Sequence, residues 1–303
     1  MLTVVDLFAG CGGLSKGFEN AGFDIIAGFE YWDVAASCYE RNFNHPVYRC
    51  DLSQIDTVLP IINEIGPNII IGGPPCQDFS QAGKRIEAGR ASLTYAYSQI
   101  VTTIMPKYFV MENVDRARDS NAYAAARENF KNAGYGLTEV VLDASKCGVP
   151  QKRKRFFCIG SLGQEDGYLS AYIASKQSAN AMTLRDFFGD SLGFEYYYRH
   201  PRNYNRRGVF SIDEPAPTMR GVNRPVPKGY PGHPLDPVAI SDNVRALTTQ
   251  ERALIQTFPH TFVFEGNKTD VEQMIGNAVP VKLAEFVAQA LMYHIKEERG
   301  IRD

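Results

Sequence analysis

The sequence predicts an α/β protein, a doubly wound and mostly parallel sheet carrying a second, smaller, irregular β-rich domain. Three observations lead there. Leu2 to Asp6 reads as a short apolar strand that runs into Gly10-Cys11-Gly12-Gly13 and then a helical stretch from Leu14 to Ala21, the strand–turn–helix opening of a nucleotide-binding sheet. Further apolar runs, each ending at glycine or an acid, alternate with helical stretches as far as about residue 160. Periodicity then fades from about Ala181 to Asp270, where Pro, Gly, Arg and Tyr dominate, and returns in a final helix from Val281 to about Glu298. The expected division is therefore residues 1–180 with 271–303 in the large domain and 181–270 in the small one.

Taken in order, the first glycine turn departs from a dinucleotide fingerprint, because Ser15 stands where the third glycine of G-x-G-x-x-G belongs. Asp24 to Phe29 is a second strand ending at Glu30, 18 residues past Gly12, where an acid suits a ribose diol. Asp33 to Asn42 is helical, and Val47 to Cys50 is a short extended piece before Asp51. The run Asn68-Ile69-Ile70-Ile71 has the β-branched density of a strand buried on both faces. Gly72-Gly73-Pro74-Pro75-Cys76 follows, so a thiol is held on a stiff turn at the carboxyl end of a strand. By itself Cys76 reads equally as a nucleophile or as a buried structural thiol. The polar stretch from Gln81 to Ala91 reads as a surface loop or a lid, and Tyr95 to Ile104 as a helix.

Tyr108 to Met111 is a strand ending at Glu112-Asn113-Val114, and a carboxylate there, among apolar neighbours, should have a raised pKa. Ala122 to Ala133 reads as a helix and Gly136 to Leu142 as a strand. Gln151-Lys152-Arg153-Lys154-Arg155 opens a strand to Gly160, and alternation sets Arg153 and Arg155 on one face of it. Thr248-x-x-Glu251 is a capping box that opens a helix to Gln256. In the last helix Leu283, Val287, Leu291 and Ile295 mark one apolar face.

Composition narrows the function. Hydrophobic residues make up 44% and charged residues 22% of 303, ordinary for a globular protein, and no apolar run is long enough to span a membrane. The six cysteines form no C-x-x-C pair and the five histidines are scattered, so reduced thiols, a cytoplasmic protein and no metal site are expected. The net charge of −2 hides an uneven distribution. Lys146 to Arg155 holds five Lys/Arg and no acid, and Arg199 to Lys228 holds seven against Asp213 and Glu214, with Tyr204 and Phe210 interleaved. Two acid-poor basic segments in a slightly acidic chain favour a polyanionic partner.

Pro74-Pro75-Cys76-Gln77, taken with Glu112-Asn113-Val114, Gln151-x-Arg153-x-Arg155 and Gly276-Asn277-Ala278-Val279-Pro280, resembles the ordered motifs of the C5 cytosine DNA methyltransferases from Asp6 to about Leu291. The resemblance implies a Rossmann-like fold that binds S-adenosylmethionine and a target-recognition domain at 181–270. It implies double-stranded DNA as substrate, no membrane partner and a monomer, and it leaves open a cognate restriction endonuclease acting on the same site. It gives Cys76 the role of nucleophile, Glu112 that of proton partner, and Arg153 with Arg155 the lining of the target pocket. It also gives cofactor contacts to Phe8, Gly10, Gly12, Gly13, Leu14, Glu30, Tyr31, Asp51, Leu52, Pro74, Leu93, Asn277 and Val279, with Glu30 and Asp51 on the ribose and adenine and Tyr31 and Leu52 beside the ring.

In that chemistry the thiolate adds to carbon 6 of an extruded cytosine, carbon 5 takes the methyl group, and loss of the carbon 5 proton expels the cysteine. Two rival activities remain at this stage. One is tRNA cytosine methylation, which the Gly-Gly-Pro-Pro-Cys-Gln-x-Phe-Ser pattern argues against. The other is a nicotinamide-dependent oxidoreductase built on Gly10, Gly12 and Glu30, which has no use for Cys76, Glu112 and Arg155 at strand ends. A catalytically inactive DNA-binding module is a third reading, disfavoured because every expected reactive residue is present.

Overall fold

A computed structural model describes residues 2–75, 92–241 and 243–301. Its centre is a seven-stranded sheet in the order β3-β2-β1-β4-β5-β8-β6. These strands are β1 (Thr3–Leu7), β2 (Asp24–Glu30), β3 (Val47–Arg49), β4 (Ile69–Gly72), β5 (Tyr108–Val114), β6 (Tyr135–Asp143) and β8 (Lys154–Leu162). The first five are parallel, and β8 runs antiparallel to both β5 and β6. Strand order reverses between β1 and β4, and the glycine turn and the Pro74-Pro75 turn leave the carboxyl ends of those two strands. That is the crevice in which open α/β sheets hold their ligands.

The two-residue period of the strands sorts side chains onto two covered faces. Val4, Ile69, Ile71, Val110 and Ile159 face one way, against the helices α1 (Gly13–Asn20) and α10 (Val281–Glu298). Val5, Ile70, Phe109, Met111 and Cys158 face the other, against α3 (Ile55–Ile65), α4 (Leu93–Ile104) and α5 (Asn121–Asn132). The apolar face read from the C-terminal sequence is the one that packs, since Leu283, Val287, Leu291 and Ile295 are all buried. A fully buried aliphatic side chain contributes roughly 1.5–3 kcal/mol, so this row ties the end of the chain firmly to its beginning.

Two of the longer helices have no counterpart in the sequence reading, as is also true of the short ones at Ser170–Lys176 and Leu184–Phe188. One is α3, which carries Pro60 inside it and still buries Val58 and Ile62. The other is α9 (Lys268–Asn277), a largely polar stretch that buries Val271, Met274 and Ile275. Between them lies a three-stranded sheet, β10-β9-β12, made from β9 (Tyr196–Tyr198), β10 (Val209–Ser211) and β12 (Arg245–Ala246). Its core gathers Tyr197, Phe210, Ile212 and Met219. The helix α8 (Thr249–Ile255) opens on the expected capping box, in which Thr248 Oγ1 accepts from Glu251 N and Thr248 N donates to Glu251. It faces two ways: Ile255 packs with Tyr197 and Phe210, whereas Ala253 joins Ala9, Tyr39 and Phe43 beside the large sheet. Phe258 and Phe262 lie in that second cluster although they fall within the 181–270 span.

Candidate active site

Glu112 is the fifth residue of β5, opposite Phe157 of β8 and next to Met111, which pairs with Gly72 of β4. The carboxyl is nearly buried, and its Oε1 accepts from Arg155 Nε at 2.9 Å. Burial pushes the Glu112 pKa up, while the charges of Arg155 and Arg153 pull it back. A buried acid beside a fixed guanidinium can hold or share a proton at the point where β4 and β5 end. A Cβ placed on Gly73 would stand 3.0 Å from Glu112 Oε2, so the turn after β4 runs directly against this carboxyl. Asn113 fixes that turn by donating from Nδ2 to the Pro74 carbonyl at 3.0 Å, and its own Oδ1 accepts from Val114 N at 2.8 Å. Cys76 lies outside the described residues, as does the stretch from Gln81 to Ala91.

The two arginines of the Gln-x-Arg-x-Arg stretch part company. Arg155 reaches Glu112, but Arg153 is buried at 1% exposure. Its Nη1 donates to Met219 O at 3.0 Å, and its Nη2 to Gly276 O at 2.9 Å and Ala278 O at 3.1 Å. Alternation places both residues on one side, yet the Arg153 guanidinium is spent on backbone carbonyls and influences Glu112 only through its charge. Gln151 works alongside it: Oε1 accepts from Met219 N at 2.8 Å and Nε2 donates to Gln256 Oε1 at 2.7 Å. These contacts span 66 to 125 residues of sequence, so no local pattern could have announced them.

The glycine turn leaves part of its backbone open. Phe8 has φ 60° and Gly10 φ 56°, and a Cβ on Gly10 would meet nothing within 4 Å. Glu30, at the end of β2, closes the turn: Oε2 accepts from Gly10 N and Oε1 from Trp32 N, each at 2.7 Å. Burial raises its pKa in spite of those two bonds. Next to it Tyr31 is 74% exposed, and Asp51 accepts from Ser53 N through Oδ1 while Leu52 is buried. Gly12 caps α1 with φ 97°, Leu14 is buried, and a Cβ on Gly13 would collide with the Val279 carbonyl oxygen. The segment Asn277 to Val279 thus lies directly over the turn, with Asn277 Oδ1 exposed and accepting from Gln273 Nε2. Pro74 and Leu93 are buried on the far side of the crevice.

Ser15, the residue that breaks the dinucleotide pattern, has a structural use. Its hydroxyl donates to Asp6 Oδ2 at 2.6 Å and meets Tyr39 OH at 2.7 Å, and Tyr39 OH in turn meets His45 Nε2 at 2.7 Å. Asp6 is completely buried, and its Oδ1 has no partner among the described residues. Burial, which outweighs the Ser15 bond, lifts its pKa to about 7.

In front of Arg155 lies a cleft of about 600 Å³ lined by eight Lys/Arg side chains and a single acid, Asp115. Lys152, Lys154 and Arg155 form one wall, and residues from Arg199 to Arg220 form the other. The two acid-poor segments of the sequence therefore meet across one opening, and a surface of this kind attracts phosphate.

Residues 2–293 match the family model described as C-5 cytosine-specific DNA methylase. The chain belongs to that family. It is a DNA cytosine-5 methyltransferase, and the reaction of its family draws the methyl group from S-adenosylmethionine. It is 56% identical over 295 residues to the Type II methyltransferase M.HindV of Haemophilus influenzae, covering 97% of each chain. It is 51% identical over 299 residues to the Type II methyltransferase M.HgiDI of Herpetosiphon aurantiacus, covering 98% of this chain and 96% of that one. The Dnmt2 methyltransferase of S. pombe superposes with a TM-score of 0.70 at 18% identity, over 97% of this chain and 99% of that one, and carries the fold alone. The tRNA, nicotinamide and inactive-module readings fall with the family assignment. Among the described residues no helix is long and apolar enough to cross a membrane.

Proposed function

We propose that this methyltransferase acts on a cytosine swung out of duplex DNA, with Cys76 as the attacking thiol and Glu112 as the proton partner of the ring. The observation that carries the proposal is the buried Glu112–Arg155 pair, set beside Gly73 and opening onto the basic cleft. Pro74 and Pro75, pinned through Asn113, hold the chain stiff immediately before Cys76. Glu112, protonated or sharing its proton, hydrogen-bonds the ring nitrogen and exocyclic amine and stabilises the negative charge that develops when sulfur bonds to carbon 6. Arg155 fixes the direction of that carboxyl and contributes positive charge beside it, and Arg153 adds charge from behind. The thiol is expelled when carbon 5 loses its proton.

The cofactor would lie against the backbone of Phe8, Gly10, Gly12, Gly13 and Leu14, with Glu30 and Asp51 taking its hydroxyl and amine groups and Tyr31 and Leu52 its ring. Pro74, Leu93, Asn277 and Val279 would close the pocket. The open space at Gly10 and the exposed Tyr31 ring beside Glu30 fit such a ligand. When bound, S-adenosylmethionine supplies the methyl group as a sulfonium. Residues 181–270 serve as the recognition domain, with residues 1–180 and 271–303 holding catalysis, and the protein works as a monomer in the cytoplasm. The names of its Type II relatives support a role in restriction-modification, beside an endonuclease that cuts the same site.

Duplexes carrying 5-fluorocytosine at the target should trap a covalent complex with the wild-type protein and none with Cys76→Ala, which should still bind S-adenosylhomocysteine. Normal methylation by the Cys76→Ala protein would overturn the mechanism.

A further inference from the structure

We infer that the hairpin tip Arg202-Asn203-Tyr204-Asn205-Arg206 is the element that reads base edges, with Arg202 and Arg206 selecting guanine; this rests on the DNA-methylating reading above. The tip joins β9 to β10, and its stem is closed by Arg199 N donating to Gly208 O at 2.7 Å. A single carboxylate locks the stem. Asp236 Oδ1 accepts from Gly208 N and Val209 N, both at 2.9 Å, and Oδ2 accepts from Tyr230 OH at 2.7 Å and His233 N at 2.9 Å. A fixed stem below a solvent-facing tip is the arrangement that sequence readout requires.

The arginines of the region divide into two kinds. Arg199 donates to Thr218 O, Arg220 donates to His200 O, and Arg207 pairs with Glu214 while lying 4.3 Å from the centre of the Phe210 ring. Those three hold the fold together. Arg202 and Arg206 are exposed, and neither side chain has a hydrogen-bond or ion-pair partner among the described residues, though both line the cleft shared with Arg155. Asn203 and Asn205 are exposed beside them, their amides without a partner among the described residues, and the ring of Tyr204 is held edge-on by His200 and Tyr230.

Two uses are open to a free arginine in such a cleft, phosphate and base. The residue types separate them. The wall beside Arg155 carries Lys152 and Lys154, point charges that suit phosphate without regard to sequence. Apart from Tyr204, the tip carries planar, forked groups. A guanidinium meets O6 and N7 of guanine with two parallel hydrogen bonds, and an asparagine amide meets N6 and N7 of adenine in the same way. Placed across the cleft from Arg155, the tip reaches the bases that flank the extruded cytosine.

The test is methylation of a duplex library with a cytosine between randomised flanks, read by bisulfite sequencing, for the full-length wild type, Arg202→Lys and Arg206→Lys. Lysine keeps the charge and removes the fork. The wild type should require guanine at defined flanking positions, and each variant should relax that requirement at one position by about 10- to 100-fold. Non-specific duplex affinity and its salt dependence should stay as they were. Unchanged thermal stabilisation by S-adenosylhomocysteine verifies that each variant is folded. If both variants keep the full wild-type preference, or if binding weakens equally on all sequences, the tip holds phosphate and the inference is overturned. If the wild type methylates no duplex at all, the fault lies with the underlying reading and not with the tip.

Discussion

Arg155 Nε stands 2.9 Å from Glu112 Oε1, with both side chains largely withdrawn from solvent where β8 and β5 run side by side. The pair joins the family's glutamate to the edge of the basic cleft, because Arg155 lines that cleft and Glu112 lies behind it. An isosteric amide at position 112 keeps a hydrogen-bond acceptor for Arg155 but cannot give up a proton. Glu112→Gln should therefore fold normally and lose about 10²–10⁴-fold in kcat. Single-turnover methylation with labelled S-adenosylmethionine measures this, and a near-native rate would move the proton role to another group.

Asn113 adds a second requirement at the same strand end. Its amide ties the Pro74 carbonyl to β5, so the residues that precede Cys76 take their position from a strand and not from a loop. Asn113→Ala leaves a buried carbonyl unpaired at a cost of about 1–3 kcal/mol, so the melting temperature should fall by several degrees while the protein stays folded. The rate should fall at least 10-fold, because a small misplacement of a nucleophile is costly. Trapping by 5-fluorocytosine duplexes should slow in parallel, and trapping at the wild-type rate would show that the turn needs no such support.

Arg153 makes a different prediction from its neighbour. Removing its guanidinium leaves the carbonyls of Met219 and Gly276 without donors in the interior and takes from Ala278 one of its two, the other coming from Gln256. Each buried group left unpaired costs about 1–3 kcal/mol, so Arg153→Ala should lose several kcal/mol of stability in urea denaturation. The affinity for S-adenosylhomocysteine should fall as well, since Gly276 and Ala278 flank Asn277, which lies over the glycine turn with Val279. A variant that stays fully stable and loses only rate would return Arg153 to the target pocket.

Glu112 and Arg155 stood out in the sequence because one closes and the other opens a continuous apolar run, and the resemblance to the family's ordered motifs supplied their roles. The parallel sheet was legible from runs of the same kind: Val4, Ile69 and Ile71 separate cleanly from Val5 and Ile70. Helix α3 escaped notice because Pro60 interrupts its pattern, and α9 because its apolar residues are few among polar ones. The bridge through Arg153, Gln151 and Gln256 was not legible at all. Its partners are mostly backbone atoms brought close by the fold, and a backbone carbonyl leaves no trace in a sequence. Ser15 was visible as a broken glycine pattern, but its meaning depends on Asp6 and Tyr39, which only the structure brings within reach.

That Ser15 network yields a pH dependence. While Asp6 is ionised, the Ser15 hydroxyl gives its one proton to it, so Tyr39 donates to Ser15 and His45 Nε2–H donates to Tyr39. Burial raises Asp6 from 3.8 in an unfolded chain to about 7. Between those two values the native state holds more protons than the unfolded state, so this group's contribution is fully present below about pH 4 and is lost as the pH rises toward 7. His45 acts in the opposite sense, because burial lowers its pKa and makes the native state shed a proton. Comparing two proteins that both retain His45 isolates the carboxyl. Asp6→Asn, whose amide oxygen still accepts from Ser15, should gain stability relative to wild type as the pH is raised from 4.5 to 7.5, by at least about 1 kcal/mol, since each pKa unit corresponds to about 1.4 kcal/mol. Urea denaturation of both proteins across that range gives the difference directly. A gap that stays constant with pH would mean that the carboxyl does not titrate between those limits.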